Sequence, residues 1–226
     1  MGILKLNDVC YQYKNRYQTV DALKGISYDF NESKVYAIVG KSGSGKTTLL
    51  SLLAGLDLPT SGDIEFQGTS TKKMDRDTYR REYATVIYQT FNLLPLLTVL
   101  ENVMYPLELK GMSAKSAKEI AGERIAKVGL DPEVYANRFP AMLSGGERQR
   151  IAIARALATD AKVILADEPT GNLDVENSKN VMEVLTGLSH EGGYCVIIVT
   201  HDMALAEKAD ICLRVSDGKL KVDKPQ

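Results

Sequence analysis

Residues 40–47 read Gly40-Lys41-Ser42-Gly43-Ser44-Gly45-Lys46-Thr47, between the apolar run Val35–Val39 and a helical pattern that opens at Lys46. Glycines at these spacings let the backbone curl until several N–H groups point inward. The helix that follows adds its own free N–H groups and the positive end of its dipole. Such a loop cradles phosphate. Lys46 is placed to reach the β- and γ-phosphates of a nucleoside triphosphate, and Thr47 to offer a hydroxyl oxygen to Mg²⁺, with Thr48 beside it at the helix start. A merely flexible Gly/Ser loop would not need strand, lysine, hydroxyl and helix to agree. No N-K-x-D guanine-reading motif follows, which weighs against a GTPase.

A second chemical group follows the apolar run Val163–Ala166, which leads straight into Asp167-Glu168-Pro169. Mg²⁺ is commonly held by one or two carboxylates together with phosphates and waters, a role that suits Asp167. Glu168 would then sit beside the γ-phosphate as general base to the attacking water. An ordinary glutamate has a pKa of about 4.3, so its value would come from position more than basic strength. Alone, two acids could simply cap a turn.

Ser144, Gly145, Gly146 and Glu147 open a third motif, Leu143–Arg150, ahead of the helical run Ile151–Ala158. A serine at a helix start, two glycines and a helix dipole make another anion site. One nucleotide has a single γ-phosphate. A chain with two such devices can use both if two copies face each other, each completing the other's site.

The elements that must position these groups form an α/β pattern. Strand signals occur at Leu4–Cys10, within Ala22–Phe30, at Val35–Val39, around Ile64 and Phe66, and at Thr85–Tyr88. From Phe91 to Ala158 they give way to helical segments at Val99–Leu109, Ser113–Val128 and Gly145–Ala158. Strands return at Val163–Ala166, Val196–Val199 and Ile211–Val215, with a helix at Val175–Leu188 and a hairpin turn at Asp217-Gly218 before Lys219–Val222. The motifs fall at the carboxyl ends of strands, where open parallel sheets bind ligands.

The chain has 226 residues, 44% hydrophobic and 25% charged, with a formal net charge of -1, values typical of a globular protein. The neutral balance weighs against nucleic acid as a partner. Cys10, Cys195 and Cys212 are scattered without a CxxC pair and read as reduced, buried thiols. The N-terminal segment lacks the apolar core of a secretory signal, and Gly2 lacks the hydroxyl residue that would complete a myristoylation motif. No run approaches the ~20 apolar residues of a membrane helix, so a membrane role would require another chain to cross.

With these motifs in order, the sequence resembles the ABC (ATP-binding cassette) ATPase family over roughly residues 4–220. Leu143–Glu147 matches its LSGGE signature. Gln89 matches the glutamine loop, Asp174 in Gly171–Asp174 the D-loop, and His201 in Thr200–Asp202 the switch histidine. The resemblance implies a P-loop NTPase core with a mostly parallel sheet, an antiparallel β subdomain and an inserted α-helical subdomain. It implies one cassette spanning 1–226, with residues 1–89 and 159–226 as the nucleotide-binding core and 90–158 as the helical subdomain. ATP and Mg²⁺ are the implied ligands. Gln89 would join Thr47 and Asp167 around the metal and, with Lys46, Glu168 and His201, take part in catalysis. An aromatic residue stacks on adenine in this family; Tyr13, at the strand's end, fits better than Tyr11, two residues back on the same face. His190, near Gly192-Gly193, reads as a helix-end cap.

The implied partners are a second cassette, expected to be an identical chain, and a membrane permease, with the cassette peripheral at the cytoplasmic face. The segments FNLLPLLTVLENV and PTGNLD are most similar to the cassettes of macrolide exporters, lipoprotein-release systems, antimicrobial-peptide resistance systems and cell division. A soluble cassette with no membrane partner is the alternative, although translation types carry two cassettes and repair types long coiled coils. A module that binds ATP without hydrolysis should lack Glu168 or His201; both are present.

Overall fold

The computed structural model describes residues 2–159 and 161–223. Strands β3 (Lys34–Val39), β6 (Ala84–Tyr88), β7 (Val163–Asp167), β8 (Cys195–Val199), β9 (Ile211–Ser216) and β10 (Lys219–Asp223) form one sheet in the order β10-β9-β3-β8-β7-β6. It is parallel except for the closing β9–β10 hairpin. A second, wholly antiparallel sheet runs β2 (Thr19–Phe30), β1 (Leu4–Lys14), β4 (Ser61–Phe66), β5 (Thr69–Ser70).

Alternation along the parallel strands sorts side chains between two cores, because both sheet faces are covered. In β7, Val163 and Leu165 join one buried cluster and Ile164 and Ala166 the other; in β8, Ile197 and Val199 separate in the same way from Val196 and Ile198. The first cluster is shared with the antiparallel sheet and helix α1 (Lys46–Leu53), which buries Leu49, Leu50, Leu52 and Leu53. The second is shared with the helices inserted between β6 and β7 and with α7 (Val175–His190).

The inserted helices are α3 (Val99–Leu109), α4 (Ala114–Lys127), α5 (Pro132–Tyr135) and α6 (Gly145–Leu157). Their starts are fixed by Thr98, Ser113, Asp131 and Ser144, each accepting a backbone N–H from the first turn. Residues 94–98 are tied to α3 by Asn102, wholly buried, whose amide donates to the carbonyls of Leu94, Leu97 and Thr98 and accepts from the Leu94 N–H. Ile153, Ala154 and Leu157 of α6 belong to the same buried cluster as Val103, Leu107 and Ile125 of the helical insertion and Ile164 and Val196 of the sheet, so one apolar cluster spans the junction near residues 89 and 159.

Three short helices lie where the sequence pattern gave only loop: α2 (Arg76–Glu82), α5, and α8 (Met203–Ala206). Each has one turn or two, too short for an apolar period to show, although each begins at an aspartate that caps it. The thiols also need correction. All three are free, but only Cys195 is buried; Cys10 and Cys212 are half-buried. His190 ends α7 with its ring on a side chain: Nε2 lies 3.0 Å from Asp210 Oδ2, and Asp210 also accepts the Val35 N–H at 2.7 Å. Among the described residues, no helix is long and apolar enough to cross a membrane.

Candidate nucleotide site

A cavity of about 700 Å³ opens at the carboxyl ends of β3, β7 and β8. Gly40, Ser42, Gly43, Ser44, Gly45, Lys46, Thr47 and Thr48 line its floor, and Tyr13, Gln89, Asp167, Glu168 and His201 its walls. Lys41 does not line it, although its carbonyl accepts Lys46 Nζ at 3.0 Å and that of Gly40 accepts the same ammonium at 2.8 Å. The lysine is thus held across the loop by bonds that a phosphate oxygen can replace. Ser44 Oγ is buried with no hydrogen-bond partner among the described residues. An orphaned hydroxyl in a glycine-rich loop fits a site whose remaining acceptors come from a ligand. Thr47, Asp167 and Gln89 line the cavity and carry hard oxygen atoms, the donor type that suits Mg²⁺.

Two glycines of the loop are required by their neighbours. Gly45 has φ of +109°, and a Cβ there would lie 2.6 Å from the Ala22 carbonyl oxygen. A Cβ at Gly40 would lie 2.3 Å from the Val215 carbonyl oxygen. Ala22 comes so close because β2 bulges there: Tyr11 pairs with Leu23 and Gln12 with Asp21, leaving Ala22 unpaired. The hairpin turn Asp217-Gly218 supports the same region, its Gly218 N–H donating to Ser44 O at 3.3 Å and its carbonyl accepting the Lys24 N–H at 2.8 Å. Val20, Asp21, Ala22, Lys24, Asp217 and Gly218 all line the cavity. None stood out in the sequence as a site residue. The Asp-Gly turn was visible as a turn, but nothing local shows that it abuts the loop.

Tyr13 and Tyr11 separate clearly. Tyr13 lines the cavity, is 51% exposed, and its hydroxyl lies 3.1 Å from Thr48 Oγ1. Tyr11 lies outside the cavity lining and packs edge-on to Tyr13 with ring centroids 4.9 Å apart. Its hydroxyl donates to Asp57, and that bond pushes its pKa up to about 12.

Glu168 and His201 form a dyad. Glu168 Oε1 accepts the His201 N–H at 3.0 Å and lies 2.7 Å from His201 Nδ1; Oε2 accepts the Thr200 hydroxyl at 3.0 Å. The hydrogen bond from the ring to the carboxylate, reinforced by its charge, raises the pKa of His201. Burial, with help from neighbouring Glu168, raises that of Asp167, and the Lys46 charge opposes it. Glu168 has φ of +46° and precedes a proline, a combination that disfavours any non-glycine residue and costs on the order of 1–3 kcal/mol. Gln89 reaches the turn after β7 from the adjacent strand end: its backbone carbonyl accepts the Asn172 side-chain amide at 3.1 Å.

The Ser144–Glu147 motif lies apart from this cavity and lines none of it. Ser144 and Glu147 form a reciprocal capping box at the start of α6: the Ser144 N–H donates to Glu147 Oε2 at 2.7 Å and the Glu147 N–H to Ser144 Oγ at 3.3 Å. Glu147 Oε1 also accepts the Tyr135 hydroxyl at 2.6 Å, and this bond leads those that hold the Glu147 carboxyl below the usual range. A Cβ at Gly146 would meet Asn177 Oδ1 at 2.0 Å. Asp174 is likewise outside the cavity, capping α7 through the Asn177 N–H at 2.9 Å. Gly145 and Gly146 thus stand close to the Gly171–Asp174 turn and the start of α7, outside the lining of the Lys46 cavity.

The profile of a family described as ABC transporter matches residues 23–171. The uncharacterized ABC transporter ATP-binding protein YclH of Bacillus subtilis (strain 168) is 40% identical over 222 residues, covering 98% of this chain and 97% of its own. The dimeric structure of a post-hydrolysis state of the ATP-binding cassette MJ0796, bound to ADP and Pi, superposes with a TM-score of 0.87 at 37% identity, covering 99% of each chain. That of cbiO1 from Clostridium perfringens, described as part of the ABC transporter complex cbiONQ, gives a TM-score of 0.87 at 27% identity over 97% of this chain and 87% of the other.

Proposed function

This chain belongs to the ABC transporter family, and we propose that two copies close head to tail around two ATP molecules, each nucleotide touching Lys46 of one copy and Ser144 of the other. It is an ATP-hydrolysing cassette of that family. The observation that carries the proposal is the separation within one chain of two anion-binding devices: the loop cavity holds Lys46, Thr47, Asp167 and Glu168, while the Ser144 helix start lies outside it.

In this reading the loop N–H groups and Lys46 bind and orient the phosphates. Thr47, Asp167 and Gln89 would hold Mg²⁺, which would supply neutralisation of the phosphate charge. Glu168 orients the attacking water and accepts its proton, and His201 contacts the γ-phosphate. Tyr13 stacks on the adenine. Loss of the γ-phosphate removes the bridge between copies, and the dimer loosens. A site completed by the partner's Ser144 makes turnover depend on assembly.

The dimer drives a separate membrane permease from the cytoplasmic face. Gln89 leads into Phe91 and Asn92, both with left-handed φ, and Arg155 of α6 donates to their carbonyls at 3.1 and 2.6 Å. The glutamine loop and the signature helix are thereby linked. Beside them is a groove of about 320 Å³ lined by Arg80, Arg81, Leu94, Tyr105 and Leu109, the last 61% exposed, which suits a cytosolic segment of the permease. The resemblance of residues 91–103 points to permeases that transmit mechanical work, as in the macrolide-exporter and lipoprotein-release group.

Mixing two inactive variants tests the shared site. Lys46→Ala and Ser144→Arg each spoil both sites of a homodimer, but a mixed dimer keeps one intact site. Turnover should reappear on mixing; two variants that stay inactive together, while each still dimerises, would overturn the head-to-tail arrangement.

A further inference from the structure

We infer that Thr200 is a positioning residue for Glu168: its hydroxyl fixes where the carboxylate stands at the γ-phosphate end of the cavity. The inference rests on the reading of Glu168 as the general base. Thr200 is wholly buried and does not line the nucleotide cavity, so it is placed behind the site and away from bulk water. A buried hydroxyl needs partners, and this one has two: it donates to Glu168 Oε2 at 3.0 Å and accepts the Asp202 N–H at 3.0 Å. The second bond orients the hydroxyl, because with one lone pair taken by Asp202 the proton is directed to the carboxylate.

The platform beneath it is stiff. Thr200 directly follows β8, and its own N–H donates to Ile38 O of β3 at 3.1 Å. Glu168 directly follows β7, where Asp167 pairs with Val199, and its N–H donates to Val199 O at 2.9 Å. The two side chains therefore meet across adjacent strand ends of one parallel sheet. Glu168 holds a left-handed conformation before Pro169, which persists only where the surroundings over-determine it. His201 supplies part of that restraint, but its side chain is three-quarters exposed and belongs to the segment that contacts nucleotide. Beside the His201 backbone N–H, the Thr200 hydroxyl is the side-chain restraint rooted in the core.

The chemistry makes this matter. A carboxylate acting as general base works by being held within hydrogen-bond reach of one water, and a displacement of about 1 Å can lower a rate by about a hundred-fold. A hydroxyl that holds one carboxylate oxygen leaves the other to meet the water once nucleotide engages His201.

The test uses a crossed pair in the full chain. Thr200→Val keeps the shape and removes the hydroxyl; Thr200→Ser keeps the hydroxyl and removes the methyl. Steady-state turnover and equilibrium ATP binding are measured for both. Thr200→Val should lower kcat about ten- to a hundred-fold with KM and ATP affinity within about two-fold of wild type, and Thr200→Ser should restore kcat to within about three-fold. A packing role predicts the opposite ranking, with Ser the more damaging, and that result overturns the inference. Unchanged or faster turnover in Thr200→Val overturns it as well. Glu168→Gln run alongside separates the two readings: if it turns over like wild type, the general-base assignment has failed, whereas an inactive Glu168→Gln with an active Thr200→Val refutes only the role of Thr200.

Discussion

Removing the Tyr13 ring should weaken ATP binding without touching the phosphate grip. The ring lines the cavity opposite Val20, its register partner across the β1–β2 ladder, and about half its surface is free to receive a base. Stacking of a base on an aromatic side chain contributes about 1–3 kcal/mol, which corresponds to about 5- to 150-fold in affinity. The hydroxyl adds little: its bond to Thr48 is part-buried, and a neutral hydrogen bond nets about 1 kcal/mol. Tyr13→Ala should therefore bind ATP at least five-fold more weakly, while Tyr13→Phe stays within about five-fold of wild type. Inorganic tripolyphosphate has no base, so its affinity should be equal in all three proteins. Equilibrium competition binding reads both ligands in one titration. If Tyr13→Ala holds ATP as wild type does and Tyr11→Ala loses it, the stacking role belongs to Tyr11; if tripolyphosphate weakens in parallel with ATP, the effect is loop collapse and the argument fails.

Other outcomes follow from the same geometry. Glu168→Gln should cut turnover by at least about a hundred-fold and leave an ATP-bound dimer visible by size-exclusion chromatography; wild-type turnover would remove Glu168 from its role. Gly45→Ala must place a Cβ 2.6 Å from the Ala22 carbonyl in a left-handed residue, so it should lose about 1–3 kcal/mol of stability and its ATP affinity, as thermal unfolding and binding would report. Burial pushes the Asp210 carboxyl up, but the hydrogen bonds from the Val35 N–H and the His190 ring outweigh it and leave the pKa lowered. A carboxyl lowered in the folded state stabilises fully above its unfolded pKa of about 4, and that contribution is lost as pH falls through the folded value. Asp210→Asn should thus cost about 1–2 kcal/mol at pH 7 in urea unfolding, with the gap from wild type closing below about pH 4.

Local chemistry sufficed for much of this protein. The loop 40–47, the acids 167–168 and the Ser144 helix start each follow from residues adjacent in the chain, because a phosphate cradle, a strand-end carboxylate and a serine at a helix start are local devices. The long elements were equally legible: α3 occupies the residues its apolar period marked, and the parallel strands are apolar runs because both faces are covered. What the sequence could not supply was adjacency between distant segments. The bulge carbonyl of Ala22 against Gly45, the Gly218 turn behind Ser44, Thr200 beneath Glu168 and Asp210 beneath His190 arise only when strands far apart in the chain lie side by side. The separation of Ser144 from the Lys46 cavity is of the same kind. A motif states which bonds a segment is able to make; packing of the sheet decides which partner is within reach.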